Sequence, residues 1–298
     1  MKTVGSLIKR NVKLFFKDKG TFFTSLITPM ILLVLYATFL HKVYEDSFCA
    51  QMPEGAFHGD TLQGLVGGLL LSSLLAVSTV TVSFCANLCM VADKVTGARG
   101  DITMAPVRPR SLALSYYLST VINGLIISLV ATLLGCIYLA FTGWYLTVGD
   151  ILCLLLDVLL LVLFGTALSS VICYPLTTQG QLSAVGSIVS SCYGFLCGAY
   201  MPISSFSKGL QTVLSFFPGT HGTSLLRNHA LRGTLEELST TLPQEAIETL
   251  KNTADCNLQL FGHTVEIWQA YLILFGATAL LMGIYVTLNV LGEKRKTK

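Results

Sequence analysis

The sequence predicts an all-α membrane protein with six transmembrane helices and both termini in the cytoplasm. Hydrophobic residues make up 53% of its 298 residues and charged residues only 12%, about half of the roughly 25% found in soluble domains. Six apolar runs each approach or exceed the roughly 20 residues that a helix needs to cross the hydrocarbon core. Backbone groups in lipid must bond within their own segment, so we predict that these runs are helices.

The six predicted spans follow one another from residue 22 to residue 291. They are separated by segments rich in charge, glycine or proline, which favour breaks between helices. The approximate bounds are 22–40, 62–91, 112–141, 151–173, 182–200 and 267–291.

The distribution of lysine and arginine predicts the orientation. Most of the 19 Lys and Arg precede the first span, lie between the second and third spans, or follow the sixth. With six spans these three segments share one side, and the positive-inside rule places that side in the cytoplasm. We therefore expect a multi-pass protein of the cytoplasmic (plasma) membrane, with a single transmembrane domain over residues 1–298.

Residues 1–20 have the pattern of an amphipathic helix at the membrane surface. Apolar side chains recur at helical spacing while lysines line another face, which suits contact with anionic headgroups. We expect membrane lipid to be a partner of this segment, with binding of a cytoplasmic partner as a second role that is compatible with the first. The apolar face carries Val4, Leu7, Ile8, Asn11, Leu14 and Phe15, and the basic face carries Lys9, Lys13 and Lys17.

The cytoplasmic segment 92–111 is longer and more varied in composition than the few polar residues that would be enough to connect two spans. Gly97 and Gly100 break a possible short helix, and Pro106 and Pro109 stiffen the exit. This pattern suits a docking element for a soluble partner, although a solvated loop that obeys the positive-inside rule is the alternative. The ionic candidates for contact are Asp93, Lys94, Arg99, Asp101, Arg108 and Arg110.

The segment 201–265 between the fifth and sixth spans is predicted to be external. Its first part is apolar but interrupted by Pro202, Pro218 and several glycines, which predicts two short re-entrant helices. Its second part is acidic, and Pro243 with Gln244 favours a helix start, so we expect a small external cap.

Asp157 is the carboxylate that falls inside a predicted span. A charge at this depth is costly, so it indicates a proton or ion site facing the bundle interior. The alternative is a neutral Asp157, or one bonded to a polar neighbour such as Asn123 at a helix interface. Both residues are candidates for a transport path or for a seam between two permeases.

Two of the nine cysteines, Cys49 and Cys256, fall in predicted external segments. Oxidation is possible there, and we predict a disulfide between them, with two unpaired thiols as the alternative.

Several motifs of catalytic or nucleotide-binding proteins are missing from the sequence. It has no G-x-x-x-x-G-K-[ST], no H-E-x-x-H, no G-x-S-x-G and no paired C-x-x-C. We therefore expect no ATP site, no catalytic residues and no metal site in this chain, and no nucleic acid among its partners.

The sequence resembles the ABC-2 type permeases, the membrane subunits of ATP-binding-cassette exporters. The amphipathic segment before the first span resembles their interface helix. The stretch "ADKVTGARGDITMAPVRPRSLAL" resembles their coupling loop, with matches at the positions Asp93, Lys94, Gly97, Ile102, Pro106 and Val107. The stretch "GFLCGAYMPISSFSKGLQTVLSFFPGTHGTSLLRN" resembles the region around their fifth span. Ala98 departs from the pattern, and the acidic residue expected nearby is displaced to Asp101.

This resemblance implies a partnership with two P-loop ATPase subunits, which bind ATP and Mg, and with a second permease that is identical or paralogous. It implies export by alternating access, with 92–111 as the coupling element. The substrate class, whether drug, lipid, peptide or glycan, stays open. The alternatives are a proton-coupled carrier that uses Asp157 and a membrane-embedded enzyme, the latter disfavoured because no pair of reactive polar groups falls within the spans.

Overall fold

The computed structural model describes residues 2–52, 57, 60–105, 107–260 and 262–296. This part of the chain is helical apart from short connections and a two-residue hairpin that pairs Gln259–Leu260 with His263–Thr264. The helices are α1 (Lys2–Lys17), α2 (Lys19–Leu35), α3 (His41–Cys49), α4 (Thr61–Val95), α5 (Ala98–Met104), α6 (Pro109–Thr142), α7 (Val148–Cys173), α8 (Gln179–Leu196), α9 (Lys208–Ser215), α10 (Pro218–Ser239), α11 (Gln244–Thr253) and α12 (Ile267–Lys296).

Five of the six predicted spans coincide with helices that are long and apolar enough to cross a membrane. The first is longer than predicted because α2 continues through a π-helical turn at Tyr36–Leu40 into α3. The span predicted at 182–200 corresponds to α8, an 18-residue helix rich in serine and glycine, and the total of six spans remains a prediction. The five stretches are Lys19–Cys49, Thr61–Val95, Pro109–Thr142, Val148–Cys173 and Ile267–Leu291.

Helix α4 is the centre of the bundle. Its apolar stretch is entirely buried, and it packs against α2, α6, α7, α8 and α10. Small residues allow this crowding, since they let helix backbones approach closely. A Cβ on Gly68 would lie only 2.9 Å from the carbonyl oxygen of Ala230 in α10, a contact that no larger residue would fit.

The amphipathic helix predicted at the N-terminus is present as α1. Asn11 and Phe15 are buried, while Lys9, Lys13 and Lys17 are exposed. The chain then turns at Asp18, whose carboxylate caps α2 by accepting hydrogen bonds from the backbone of Gly20 and Thr21. A further hydrogen bond from the Thr21 hydroxyl contributes most to lowering the pKa of Asp18 below its ordinary value, so the cap is charged at neutral pH.

The segment 201–265, which was predicted to be external, departs from its prediction in one element. Two short helices were expected at its start, and α9 is one, but α10 continues for 22 residues. Its apolar and hydroxyl side chains are buried against α4, α7 and α12. The prediction underestimated α10 because its glycines indicated breaks, whereas Gly222 sits against Leu161 and permits close helix packing. The cap helix α11 begins at Gln244 as predicted.

The predicted disulfide between Cys49 and Cys256 is not formed; both are free thiols. Cys49 is exposed at the end of α3, while Cys256 is 3% exposed within an apolar cluster that includes Phe48 and Leu250. Burial raises the pKa of the Cys256 thiol to about 12, so its reactive thiolate is scarce at neutral pH. The prediction placed both cysteines on the same side of the membrane, but helix packing leaves one thiol exposed and buries the other.

This arrangement predicts selective labelling of one cysteine. A membrane-impermeant maleimide added to intact cells should modify Cys49, and the Cys49→Ser variant should lose the signal. Cys256 should react only after denaturation, because burial hides its thiol. Peptide mapping by mass spectrometry checks both sites. Labelling of Cys49 only after cell lysis would contradict the external assignment of this segment.

Candidate functional site

A tight turn at the end of α4 presents a short helix on the surface. Gly97 adopts the left-handed conformation, with φ of 82°, which terminates α4 and redirects the chain into α5. Arg108 then adopts an extended conformation before Pro109, the first residue of α6. The residue before a proline disfavours helical geometry, so the exit from this segment is fixed by sequence.

Helix α5 is bound to the bundle along only one side. It contains no buried residue, yet Ile102 is half-buried and packs against the main core, as does Val107 after it. Asp101 and Arg108 are exposed, and Arg99 is half-buried. Met104 is 88% exposed, so α5 presents a large apolar side chain at the surface beside charged groups.

Asp93 is not part of this surface. It lies in α4, is 5% exposed, and accepts two hydrogen bonds from the Arg10 guanidinium at 2.7 and 2.9 Å. The Tyr116 hydroxyl of α6 donates a third at 2.7 Å. The bond to Asp93 raises the pKa of Arg10 above its ordinary value, which keeps the guanidinium charged. Asp93 is therefore engaged within the chain, where it joins α1, α4 and α6, and its role as a contact for the ATPase stays a prediction.

Lys94, next in α4, also bonds within the chain. Its ammonium group donates hydrogen bonds to the backbone carbonyls of Cys173, Tyr174 and Leu176, at the end of α7, and lies 5.3 Å from the centre of the Tyr174 ring. A cation at this position satisfies carbonyls that a helix end leaves without partners and complements the helix dipole. Lys94 therefore ties α4 to α7 rather than facing solvent.

Two adjacent residues thus connect the base of α4 to three other helices, directly before the turn into α5. The sequence grouped Asp93 and Lys94 with the loop because all are polar, but α4 extends through both residues to Val95. The predicted contacts that stay on or near the surface are Gly97, Arg99, Asp101 and Arg108. Pro106 lies outside the described residues.

A second polar cluster lies inside the bundle around Asp157 of α7, which is 0% exposed. Its carboxylate lies 2.6 Å from Nδ1 of His229 in α10 and accepts a 2.6 Å hydrogen bond from the Tyr271 hydroxyl of α12. The sequence proposed Asn123 as an example of a bonding neighbour, and that choice was wrong. His229 was missed because it fell in a segment assigned wholly to the external side.

Asp157 and Asn123 were candidates for an interface between two permeases, and their burial can be compared with that role. Asn123 is 1% exposed, and both side chains are covered by this chain's own helices. A side chain buried in one subunit is not available to contact another. Asp157 instead links α7 to α10 and α12 through its bonds to His229 and Tyr271.

A third buried pair, which the sequence did not predict, holds the segment that was predicted to be an external cap. Arg227 of α10 is 1% exposed, and its guanidinium lies 2.9 Å from the Asp255 carboxylate and 2.6 Å from the carbonyl oxygen of Gly198. Asp255 also accepts hydrogen bonds from the backbone of Ile203 and Ser204. Three backbone groups, the Gly198 carbonyl and the Ile203 and Ser204 amides, offset part of the cost of burying this charge pair, and together they join the end of α8, α10 and the cap.

In the described residues, the buried polar groups hold helices together, whereas α5 presents charged and apolar side chains at the surface. The buried Asp93, Asp157 and Asp255 each have a cationic or hydrogen-bonding partner within the chain. At α5 the charged and apolar side chains project outward from a base that is held by Asp93 and Lys94. Through Asp93 and Lys94, the base of α5 is joined to four helices: α1, α4, α6 and α7.

Comparison with known proteins supplies a family. The protein-family model described as ABC-2 type transporter matches residues 2–230 of the chain, from the start of α1 into α10. The match therefore includes both the α4–α5–α6 turn and Asp157. A comparison with curated proteins finds no match.

Proposed function

The chain belongs to the ABC-2 type transporter family, and on that basis we propose that it is the permease subunit of an ATP-driven exporter whose ATPase is a separate chain. It is a multi-pass membrane protein and a transport subunit, as its family and its apolar helices show. Export, the ATPase partner and a second permease are parts of the proposal.

The single observation that carries the proposal is the exposed helix α5 on a rigid base. Its exposed Met104 and Asp101 offer one apolar and one charged contact to a soluble subunit. Only two residues, Thr96 and Gly97, lie between the end of α4 and the start of α5, so there is no long flexible linker. Displacement of α5 is therefore passed to α4 with little loss.

Helix α4 is suited to carry that displacement across the membrane. Its 35 residues correspond to about 52 Å at 1.5 Å per residue, more than the roughly 30 Å hydrocarbon core. Because α4 contacts most of the other long helices, a tilt at its base would repack the bundle. ATP binding would close the partner ATPases and favour one arrangement of α4 over the other.

Coupling requires that the ATPases bind the two permease states with different affinity, since equal affinity shifts nothing. Moving the population from 1:99 to 99:1 takes a difference of about 5.5 kcal/mol. A single exposed side chain does not provide this difference, so we propose that α5 and the amphipathic helix α1, linked to it through Arg10 and Asp93, form one docking surface.

A second permease, identical or paralogous, would pack against α8. Ser183, Ser187 and Ser191 recur every fourth residue on this helix, and all three are exposed. Small hydroxyl side chains are favourable between transmembrane helices, where they allow close approach and hydrogen bonding. This stripe supports a permease pair better than the buried Asn123 or Asp157 does.

The Asp157 cluster favours a second candidate function, a proton-coupled carrier. A buried carboxylate beside His229 is a pair of groups that can exchange a proton. The two functions differ in energy source: a carrier would transport in response to a proton gradient without ATP, whereas the proposed permease requires its ATPase.

Co-purification tests the leading proposal. The tagged chain, extracted in mild detergent, should retain a P-loop ATPase and show ATP hydrolysis. Replacing Asp101, Thr103 and Met104 together by Ala should reduce ATPase recovery at least about tenfold, the equivalent of roughly 1.4 kcal/mol, because these exposed side chains would contact it.

The matched control replaces Glu245, Glu248 and Thr249, exposed residues of the external helix α11, by Ala and should leave recovery unchanged. Equal recovery from the α5 variant and the control would contradict docking at α5. If the chain purifies without an ATPase but drives transport from a proton gradient, the carrier function replaces the proposal.

A further inference from the structure

One cavity in the described chain is an apolar groove with a volume of about 680 Å³. Its floor is α4, at Leu70, Leu74 and Ser78, and its walls are α2 and α6. Both walls pack on α4, and the groove lies between them. Its lining is almost entirely apolar, with few side chains able to form a hydrogen bond.

The groove opens sideways, toward the surface that would face lipid. Met30 and Leu33 on the α2 wall are 57% and 43% exposed, and Val130 and Leu134 on the α6 wall are 53% and 59% exposed. Side chains at the lips are exposed while the floor is buried, so the cavity is a cleft rather than a closed void. Hydrocarbon, not water, would fill such a cleft in a membrane.

Aromatic rings close the cleft at both ends. Tyr36 and Tyr138 meet edge to face, with ring centres 6.5 Å apart, at the end nearer the external side. Phe16 and Phe22 approach to 5.9 Å at the cytoplasmic end. Along α6, twelve residues separate Ile126 from Tyr138, which corresponds to about 18 Å. The cleft is thus somewhat longer than one leaflet of a hydrocarbon core of about 30 Å.

Positive charge lies beside the cytoplasmic end. Lys17 and Lys19 flank the turn next to Phe16, with Lys13 one helical turn earlier, and all three are exposed. The nearby carboxylate of Asp18 is engaged as the cap of α2 by Gly20 and Thr21. An apolar cleft that ends at a set of lysines matches an anionic amphiphile: a hydrocarbon chain with a negatively charged head.

We propose that the groove binds one acyl chain of an anionic phospholipid from the cytoplasmic leaflet, with its phosphate near Lys13, Lys17 and Lys19. The bound lipid fills the gap between α2 and α6 and so completes the packing of the first span against the bundle. This site does not depend on the proposed transport function, and its test requires neither an ATPase nor a transport substrate.

Lipid retention on the purified chain tests the site. The protein is equilibrated with mixed micelles that contain equal amounts of phosphatidylglycerol and phosphatidylcholine with the same acyl chains, and bound lipid is counted by native mass spectrometry. Phosphatidylglycerol should be retained preferentially. Replacing Lys13, Lys17 and Lys19 by Gln should reduce that preference at least about fivefold, since one lysine near a membrane surface contributes about that factor.

A volume change tests the acyl-chain position. Ala131 lines the groove, so Ala131→Trp should fill it and remove the retained lipid, whereas Leu133→Trp on the same helix, 61% exposed and outside the groove, should retain it. A phosphatidylglycerol with a diazirine on its acyl chain, irradiated with the unaltered chain, should label peptides that contain residues 126–138 and 70–78. This second measurement does not depend on a folded variant.

Two results would overturn the proposal. One is labelling spread evenly over all lipid-facing helices, with equal retention of the two lipids. The other is a groove covered by a second copy of the chain, in which case Ala131→Trp dissociates a dimer and leaves lipid retention unchanged.

Discussion

Arg10→Gln is expected to uncouple ATP hydrolysis from transport while leaving the chain inserted in the membrane. The change removes both hydrogen bonds that Arg10 donates to Asp93, and Asp93 keeps only the Tyr116 hydroxyl. Hydrogen bonds to charged groups contribute about 1.5–3 kcal/mol to stability. Because Arg10 is partly exposed, we expect the free energy that holds α1 against α4 to fall by an amount near the lower end of this range. Transport per ATP hydrolysed, measured in reconstituted vesicles, should fall several-fold.

Lys9→Gln provides the matched control, because it removes the same charge from an exposed neighbour in α1. Arg10→Lys should restore coupling only in part, since an ammonium group does not reproduce the two parallel bonds of a guanidinium. If Arg10→Gln couples as well as Lys9→Gln does, the link between α1 and α4 has no part in transmission.

The second large effect is expected at His229. Its replacement by Leu leaves the Asp157 carboxylate buried with one remaining partner, Tyr271. Leaving a buried carboxyl group without one of its hydrogen-bond partners typically costs about 1–3 kcal/mol, and more where the group is charged. The free energy of unfolding in detergent should therefore fall by about that amount, and the amount of folded protein in membranes should fall with it.

The double variant Asp157→Leu with His229→Leu should be more stable than His229→Leu alone, because it removes the unpaired charge together with its partner. If the double variant loses as much stability as His229→Leu, or as much as the two single variants together, then Asp157 is not charged beside His229. Transport by the double variant separates the two candidate functions: the ATP-driven permease should retain activity, and a proton-coupled carrier should lose it.

Most of the architecture followed from local features of the sequence. The amphipathic pattern of residues 1–20 predicted α1, including the buried Phe15 and the exposed Lys13. Pro243 and Gln244 predicted the start of α11. The length and the helical period of an apolar run are read from neighbouring residues. Predicting such helices therefore requires no knowledge of contacts between distant parts of the chain.

The least predictable element was α10. Its composition is nearly neutral in hydropathy, with Gly219, Gly222 and Gly233 spread through it, and such glycines normally indicate breaks. In the structure they are places of close contact: the backbone oxygen of Tyr145 packs directly against Gly233. Whether a glycine ends a helix or admits a neighbour depends on what packs against it, which one segment of sequence does not contain.

What the sequence by itself determined is the class of molecule: apolar helices of membrane-spanning length, an amphipathic first helix, a short charged element between the second and third spans, and the family. What only the tertiary structure decided is the partner of each polar residue. Arg10 and Asp93 are 83 residues apart, Asp157 and His229 are 72 apart, and Asp157 and Tyr271 are 114 apart. Hydrophobicity drives burial without direction, so it predicts which segments enter the membrane, whereas an ion pair or hydrogen bond forms only where helix packing brings two specific groups within about 3 Å.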